Sequence, residues 1–220
     1  MKRDEIRELA RAVSCWLSYK DLTGFQNQLT EAMLSLPISE FLASKEGWIL
    51  RPEVSYRTLC KTTEVPDLYC DFAGTRKFGT NFQFILEAKF LRGKIQNRIR
   101  EIADDMIRLS LPTDSNLLRL MLLAGRADHF HNSEGSSLFG ENVFKLRPQE
   151  ETYIKFEEQL AKPEFIKAFP VFQNLVSIGG VPWLAKYGYL KCRANESSPS
   201  RGESGYMVLI WSVGRSKRIQ

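Results

Sequence analysis

The stretch FQFILEAKF, residues 82–90, constrains this chain more than any other. Its apolar density is that of a central strand covered on both faces, a place where exposed charges do not belong. Yet it carries Glu87 and Lys89. Alternation along a strand puts these two on one face and Phe84, Leu86, Ala88 and Phe90 on the other. One face is core, and the other holds charge that burial penalises by several kcal/mol per ion unless something compensates it.

A partner strand is available just upstream. Residues 66–73 and 81–90 read as two strands, and GTRKFGT between them supplies glycine at both ends of a turn. Opposed positions in a hairpin sum to twice the tip number, so a tip at Lys77 sets Asp67 opposite Glu87. Asp71 shares the face of Asp67, but the same symmetry pairs it with residues near 83, which makes it the second choice. Two carboxylates held together repel, and a divalent cation relieves them. Mg²⁺ accepts hard oxygen ligands and keeps several waters, so Asp67, Glu87 and the backbone carbonyl of Ala88 form a sufficient set, with Mn²⁺ as a substitute. Lys89 then stands beside the cation, placed to orient or activate a water and to stabilise charge on a phosphoryl group.

The rest of the chain frames this hairpin. Ile6, Leu9, Ala10, Val13 and Leu17 recur at helical spacing, as do Phe25, Leu29, Ala32, Met33 and Leu36, so two amphipathic helices open the sequence. GWILRPEVSYRTLC reads as a first strand. KIQNRIREIADDMIRLSLP carries Ile95, Ile99, Ile102, Met106 and Leu109 on one stripe and stops at Pro112, a helix with a marked end. NLLRLMLLAG reads as a fourth, buried strand. Residues 127–145 read as a loop, 149–169 as a helix, and YGYLKCRA with YMVLIWSVG as a closing hairpin. At 220 residues and 43% hydrophobic the expectation is a single domain, 1–220, with a core over about 20–125 and a C-terminal elaboration over about 126–220.

Pro66-Asp67 followed by Glu87-Ala88-Lys89, on adjacent strands between two helices, resembles the PD-(D/E)XK nuclease superfamily. The resemblance covers roughly residues 20–125. It implies the α/β restriction-endonuclease-like fold, an αβββαβ core with a mixed sheet flanked by helices, here followed by a C-terminal helix and β-hairpin. It also implies Mg²⁺-dependent hydrolysis of nucleic-acid phosphodiesters, DNA ahead of RNA, with Asp67 and Glu87 as metal ligands and Lys89 as the catalytic lysine. Members of the superfamily add a glutamate from the first core helix, for which Glu31 matches by position and Glu53 in the first strand is a rival. Gln96 resembles a glutamine that some branches place near the site. A homodimer or a subunit of a larger complex is the assembly that such enzymes lead one to expect. The alternative is a nucleic-acid-binding or assembly module on the same fold without turnover.

Charge fits a polyanionic partner but does not require one, with 31 Lys and Arg against 26 Asp and Glu and a formal net charge of +5. Arg92, Lys94, Arg98 and Arg100 form an acid-free cluster directly after the proposed metal strand. With Arg76 and Lys77 at the hairpin tip, they are the candidate phosphate contacts. His129 and His131 are the only histidines and lack a third ligand. Cys15, Cys60, Cys70 and Cys192 are scattered without a CxxC pair, which indicates neither zinc nor a disulfide framework. Glycine-rich phosphate loops, a signal h-region and a membrane-length apolar run are all lacking, so the expectation is a cytoplasmic protein that uses no nucleotide cofactor.

Overall fold

The computed structural model describes residues 1–61, 65, 67–112 and 114–130. Beyond these it describes the strand segments 137–138, 144–145, 151–155, 189–194, 200–201 and 205–216, and the single residue 167. Helix α1 spans Arg3–Leu22 and buries the expected stripe of Ile6, Leu9, Ala10, Val13 and Leu17. The second expected helix is displaced. Residues Gln26–Gln28 and Ala32–Leu34 form 3₁₀ turns, Leu29 between them is extended, and helix α2 runs Ser35–Ser44. Pro37 explains the shift: in the interior of a helix its ring would clash with the preceding turn, whereas a start at Ser35 places it in the first turn, where no N–H is needed.

The first strand is also shorter than the sequence indicates. Strand β1 covers Trp48–Ser55, and the chain then turns into a short helix α3, Tyr56–Cys60, whose N-cap Ser55 accepts from the Arg57 amide at 3.2 Å. Strands β2 (Tyr69–Arg76) and β3 (Phe84–Leu91) form the expected hairpin, and all eight residues of β3 are buried. A 3₁₀ turn at Ile95–Arg98 leads into α4, Ile99–Leu109, with Ile95, Ile99, Ile102, Met106 and Leu109 all buried as the stripe predicts. Strand β4, Leu118–Arg126, lies parallel to β3, with α4 as the crossover that a parallel pair needs.

The later elements are a single turn α5 (Ala127–Phe130) and strands β5 (Ser137–Leu138), β6 (Phe144–Lys145), β7 (Glu151–Lys155), β8 (Tyr189–Ala194), β9 (Ser200–Arg201) and β10 (Tyr206–Ser216). They revise two expectations. Residues 127–130 are helical, and 137–138 and 144–145 are strand, rather than loop; 151–155 form a strand within the stretch read as a helix, of whose remainder only residue 167, which is helical, is described. The closing hairpin is present as the antiparallel pair β8 and β10.

The sheet order is β1-β2-β3-β4-β10-β8-β7-β6-β5, with β9 also on β10. The α/β architecture is thus a mixed sheet, β1-β2-β3-β4-β10 at its heart, flanked by helices. Strand β10 sits directly against β4, with Val208, Leu209, Ile210 and Trp211 fully buried, so the closing strand belongs to the same sheet as the hairpin. Helices α1 and α2 cover one face, over Phe72, Phe84, Leu86, Ala88, Phe90, Leu120 and Leu122. Helix α4 covers the other, over Ile85, Leu91, Met121 and Leu123. Gly74 lies opposite Phe84, and a Cβ at that position would fall within the Phe84 ring, so glycine is what admits the aromatic to the core. Among the described residues no helix is long and apolar enough to cross a membrane.

A buried acid cluster on the central hairpin

The register of the hairpin decides which acids meet. Phe72 pairs with Leu86, Ala73 with Ile85 and Gly74 with Phe84, which centres the hairpin on Gly79 rather than Lys77. The connection is wider than the GTRKFGT reading. The Gly79 amide closes a turn on the Arg76 carbonyl, the Gln83 amide bonds the Gly74 carbonyl, and Thr75 Oγ1 lies 3.1 and 3.0 Å from the carbonyls of Gly79 and Asn81. A tip displaced by two residues moves the facing position by four. Asp71, not Asp67, stands opposite Glu87.

Asp67 is accordingly corrected as a site residue. Its side chain is 54% exposed, 3.9 Å from Arg57 Nη1, and within 3.4 Å of the Ser55 hydroxyl. Asp71 instead reaches across the hairpin: its Oδ2 accepts from the Ala88 amide at 2.7 Å, and its carboxyl stands on the same face as that of Glu87. Both ladders around Asp71 lapse at this point. The β2–β3 pairing stops at Phe72, and the β1–β2 pairing skips from Pro52 to Val54. Glu53, in the gap, sits at φ 49° in the left-handed region and is exposed. With the β2–β3 ladder ended at Phe72, the Asp71 side chain satisfies an amide that a β2 carbonyl would otherwise take.

Glu87 and Lys89 share the face turned to α4, as alternation predicts. Glu87 is 3% exposed. Tyr56, delivered by the short helix that replaces the end of the first strand, donates its hydroxyl to Glu87 Oε1 at 2.8 Å, and Arg108 Nη2 lies 3.9 Å from the same oxygen. Burial pushes the Glu87 carboxyl well above the usual carboxylate range; Arg108 opposes the shift while Asp71 and Asp105 add to it. Burial likewise raises Asp71 against the pull of the Ala88 amide, and Glu31 against the pull of Lys89. Asp71 and Glu87 thus disfavour each other's ionisation, a repulsion that a bound cation would relieve.

Lys89 is 8% exposed and lies 2.8 Å from Asp105, 3.9 Å from Glu31 and 4.0 Å from Glu101. Burial by itself would pull its ammonium down, but the surrounding carboxylates, Asp105 foremost, outweigh that and raise it. Lys89 is therefore a fixed positive charge and hydrogen-bond donor at neutral pH. Arg108 completes the set by bonding Asp105, so Lys89 and Arg108 clamp the same α4 carboxylate from two sides.

Of the residues singled out in the sequence, Glu31 lies 3.9 Å from Lys89, on the face that also holds Glu87, and arrives there on a turn rather than a helix. Gln96 is half-buried in the 3₁₀ turn after β3, and the clustered cations spread. Arg98 bonds Glu101 at 2.5 Å beside Lys89. Lys94 and Arg100 are exposed, and Arg92 donates to the Leu29 carbonyl at 3.2 Å. Arg76 stacks its guanidinium 3.9 Å over the Trp48 ring, while Lys77 stands exposed at the hairpin tip. His131 lies outside the described residues. Tyr56, Asp105 and Arg108 escape the sequence reading altogether. A signal for the last two exists: Arg98, Glu101, Asp105 and Arg108 repeat at three and four residues, a polar row flanking the apolar stripe of α4.

The donor set suits a hard divalent cation. Asp71 and Glu87 offer oxygens only, face each other across the hairpin, and carry a proton affinity raised by burial first and by neighbouring carboxylates second. Among the described residues no three His, Cys, Asp or Glu side chains close into a cage. Two carboxylates and a carbonyl are enough for Mg²⁺, which retains waters. Compared with family models, with curated proteins and with solved structures, the chain finds no match.

Proposed function

We propose that this protein is a Mg²⁺-dependent nuclease of the PD-(D/E)XK type, hydrolysing phosphodiester bonds of nucleic acid, with DNA the first substrate to test. One observation carries the reading: on adjacent strands, Asp71 stands opposite Glu87, held by the Ala88 amide, while Lys89, two residues on, holds an ammonium on the same face. The element order supports it, since helix, three antiparallel strands, crossover helix and parallel fourth strand follow the αβββαβ plan of the restriction-endonuclease-like fold. Asp71 takes the role expected of Asp67. Mn²⁺ is expected to substitute for Mg²⁺.

Asp71, Glu87 and the Ala88 carbonyl would hold the ion. The chemistry a bound Mg²⁺ supplies is polarisation of a phosphoryl oxygen and acidification of a bound water. The protein's own groups do the rest. The Ala88 amide fixes the Asp71 carboxylate, and Tyr56 and Arg108 fix that of Glu87, so neither acid must reorganise when substrate arrives. Lys89, kept protonated and aimed by Asp105 and Glu31, donates hydrogen bonds to the attacking water or to the phosphoryl oxygens on which charge develops. Its raised proton affinity assigns it to electrostatic stabilisation and leaves the proton of the water to solvent or substrate.

Cleavage of plasmid and single-stranded DNA with and without Mg²⁺ or Mn²⁺ tests the reading. Wild type should cut only with metal, and Glu87→Ala and Lys89→Ala should not cut while keeping their circular dichroism spectra. Undiminished cleavage by both variants would refute it. A binding module without turnover is favoured by a single feature, the Arg108 cation already facing Glu87. Such a module shifts DNA in a gel and leaves it intact at every metal concentration.

A further inference from the structure

The acid cluster has a neighbour at the ends of the parallel strands. Where parallel strands of an α/β sheet finish, their carboxyl ends open into a crevice that the following loops line. At the ends of β3 and β4 this crevice is a pocket of about 280 Å³ lined by Gln26, Asn27, Arg92, Arg126, His129 and Tyr206, among others. Two hydrogen bonds build it. Arg92 Nε donates to the Leu29 carbonyl at 3.2 Å, which ties the turn carrying Gln26 and Asn27 to the end of β3. His129 Nδ1 lies 2.9 Å from the Leu91 carbonyl, which ties α5 to the same strand end.

The lining is chemically one-sided. It holds two guanidinium groups, an imidazole and two amides, and no acid, in a chain with 26 Asp and Glu. Arg92 makes no ion pair among the described residues. Arg126 meets Asp128 at 3.4 Å, with both side chains more than half exposed. An exposed pair of this kind is worth little, so Arg126 is free to exchange it for a doubly accepting anion. Guanidinium forks match phosphate oxygens bidentately, and side-chain amides add neutral donors.

We propose that this pocket is a phosphate subsite, taking a nucleotide phosphate of the strand whose scissile bond lies at Glu87 and Lys89. The polymer's identity rests on the nuclease reading above, whereas the pocket's preference for phosphate does not. Two chain connections make pocket and acid cluster contiguous. Leu91, in the lining, is two residues beyond Lys89 on β3, a displacement of about 7 Å at the rise of a strand. Leu29, also in the lining, is two residues before Glu31, which reaches Lys89 at 3.9 Å. The volume suits part of one nucleotide and excludes a duplex, so the subsite holds a single flexible or terminal phosphate.

The test is calorimetric titration of the full chain, in EDTA so that no metal site contributes, with thymidine monophosphate, thymidine and inorganic phosphate. Thymidine monophosphate should bind, thymidine should not, and inorganic phosphate should compete. Arg92→Gln and Arg126→Gln should each weaken binding about tenfold, the loss of one charge-assisted hydrogen bond, while Glu87→Gln leaves it unchanged. The exposed Arg126 keeps the test decisive if Arg92→Gln loosens the turn it anchors. Equal binding of thymidine, indifference to saturating phosphate, or affinity unmoved in Arg126→Gln would overturn the proposal. Phosphate-dependent binding by a chain that leaves DNA uncut with Mg²⁺ keeps the subsite and removes the nuclease. Metal-dependent cleavage without that binding does the reverse.

Discussion

The two faces of β3 are built from the same eight residues and obey opposite rules. Toward α1 and α2, Phe84, Leu86, Ala88 and Phe90 meet Leu9, Val13, Leu17, Ile38 and Leu42, a contact of hydrocarbon with hydrocarbon. Toward α4, Ile85 and Leu91 bracket Glu87 and Lys89, which face Asp105 and Arg108 from the helix and Tyr56 from the turn after β1. Each charge on that second face has a named partner, yet Glu87 and Asp71 remain strained against ionisation. Replacing a buried ion network with well-packed hydrocarbon is often neutral or stabilising, so the network is not what holds this fold together. One face stabilises the sheet, and the other spends stability on keeping acids and an amine in fixed positions.

That contrast is open to breaking by mutation. The largest effect expected is on catalysis from the charged face: Lys89→Ala should lower metal-dependent cleavage by at least about 100-fold, the scale of losing one preorganised electrostatic group, with a small change in urea midpoint. Next comes the apolar face, where Phe84→Ala should cost about 3–5 kcal/mol of unfolding free energy and leave the acids in place. Arg108→Ala should approach the lower end of that range, about 3 kcal/mol, because it strands Glu87 and Asp105 without their guanidinium. Glu87→Gln should behave in the opposite sense, neutral or stabilising by chemical denaturation although cleavage is lost. Equal losses of stability from Glu87→Gln and Phe84→Ala would erase the distinction between the faces.

pH separates the faces more gently. Glu87 binds its proton more tightly folded than its ordinary value of 4.5, with burial the main cause, so the folded chain holds more protons than the unfolded chain above that pH. Stability contributed by this group is complete below 4.5 and is lost as pH rises through the folded value. Denaturation from pH 4.5 upward should therefore show a declining contribution that Glu87→Gln flattens. The smallest effect is reserved for Asp67→Asn, which removes an exposed pair and should change stability by less than about 0.5 kcal/mol and cleavage not at all.

What was legible in the chain follows the same division. The apolar face was readable throughout, because alternation in FQFILEAKF and the 3.6-residue stripe of α4 are local signals of burial. Glu87 and Lys89 stood out as charges where that pattern forbids them. Asp67 and Asp71 share a strand face, so periodicity could not choose between them; the choice rests on a turn whose width is set by the Thr75 hydroxyl and the Gly79 and Gln83 amides. Glu31 was found by position, although Pro37 moves the helix it was read into. Tyr56 could not be found from sequence, since its approach to Glu87 depends on β1 ending at Ser55 and the chain turning back. Strand β10, eleven residues long and far along the chain, reaches the centre of the sheet by pairing with β4, a contact no local pattern reports.

The central claim is that Asp71 and Glu87 together hold a hard divalent cation. Calorimetric titration of wild type, Asp71→Asn and Asp67→Asn with Mn²⁺ addresses it directly. The account predicts that wild type and Asp67→Asn bind the ion alike and that Asp71→Asn does not bind it. Binding abolished by Asp67→Asn and retained by Asp71→Asn, or no binding by wild type, would contradict it.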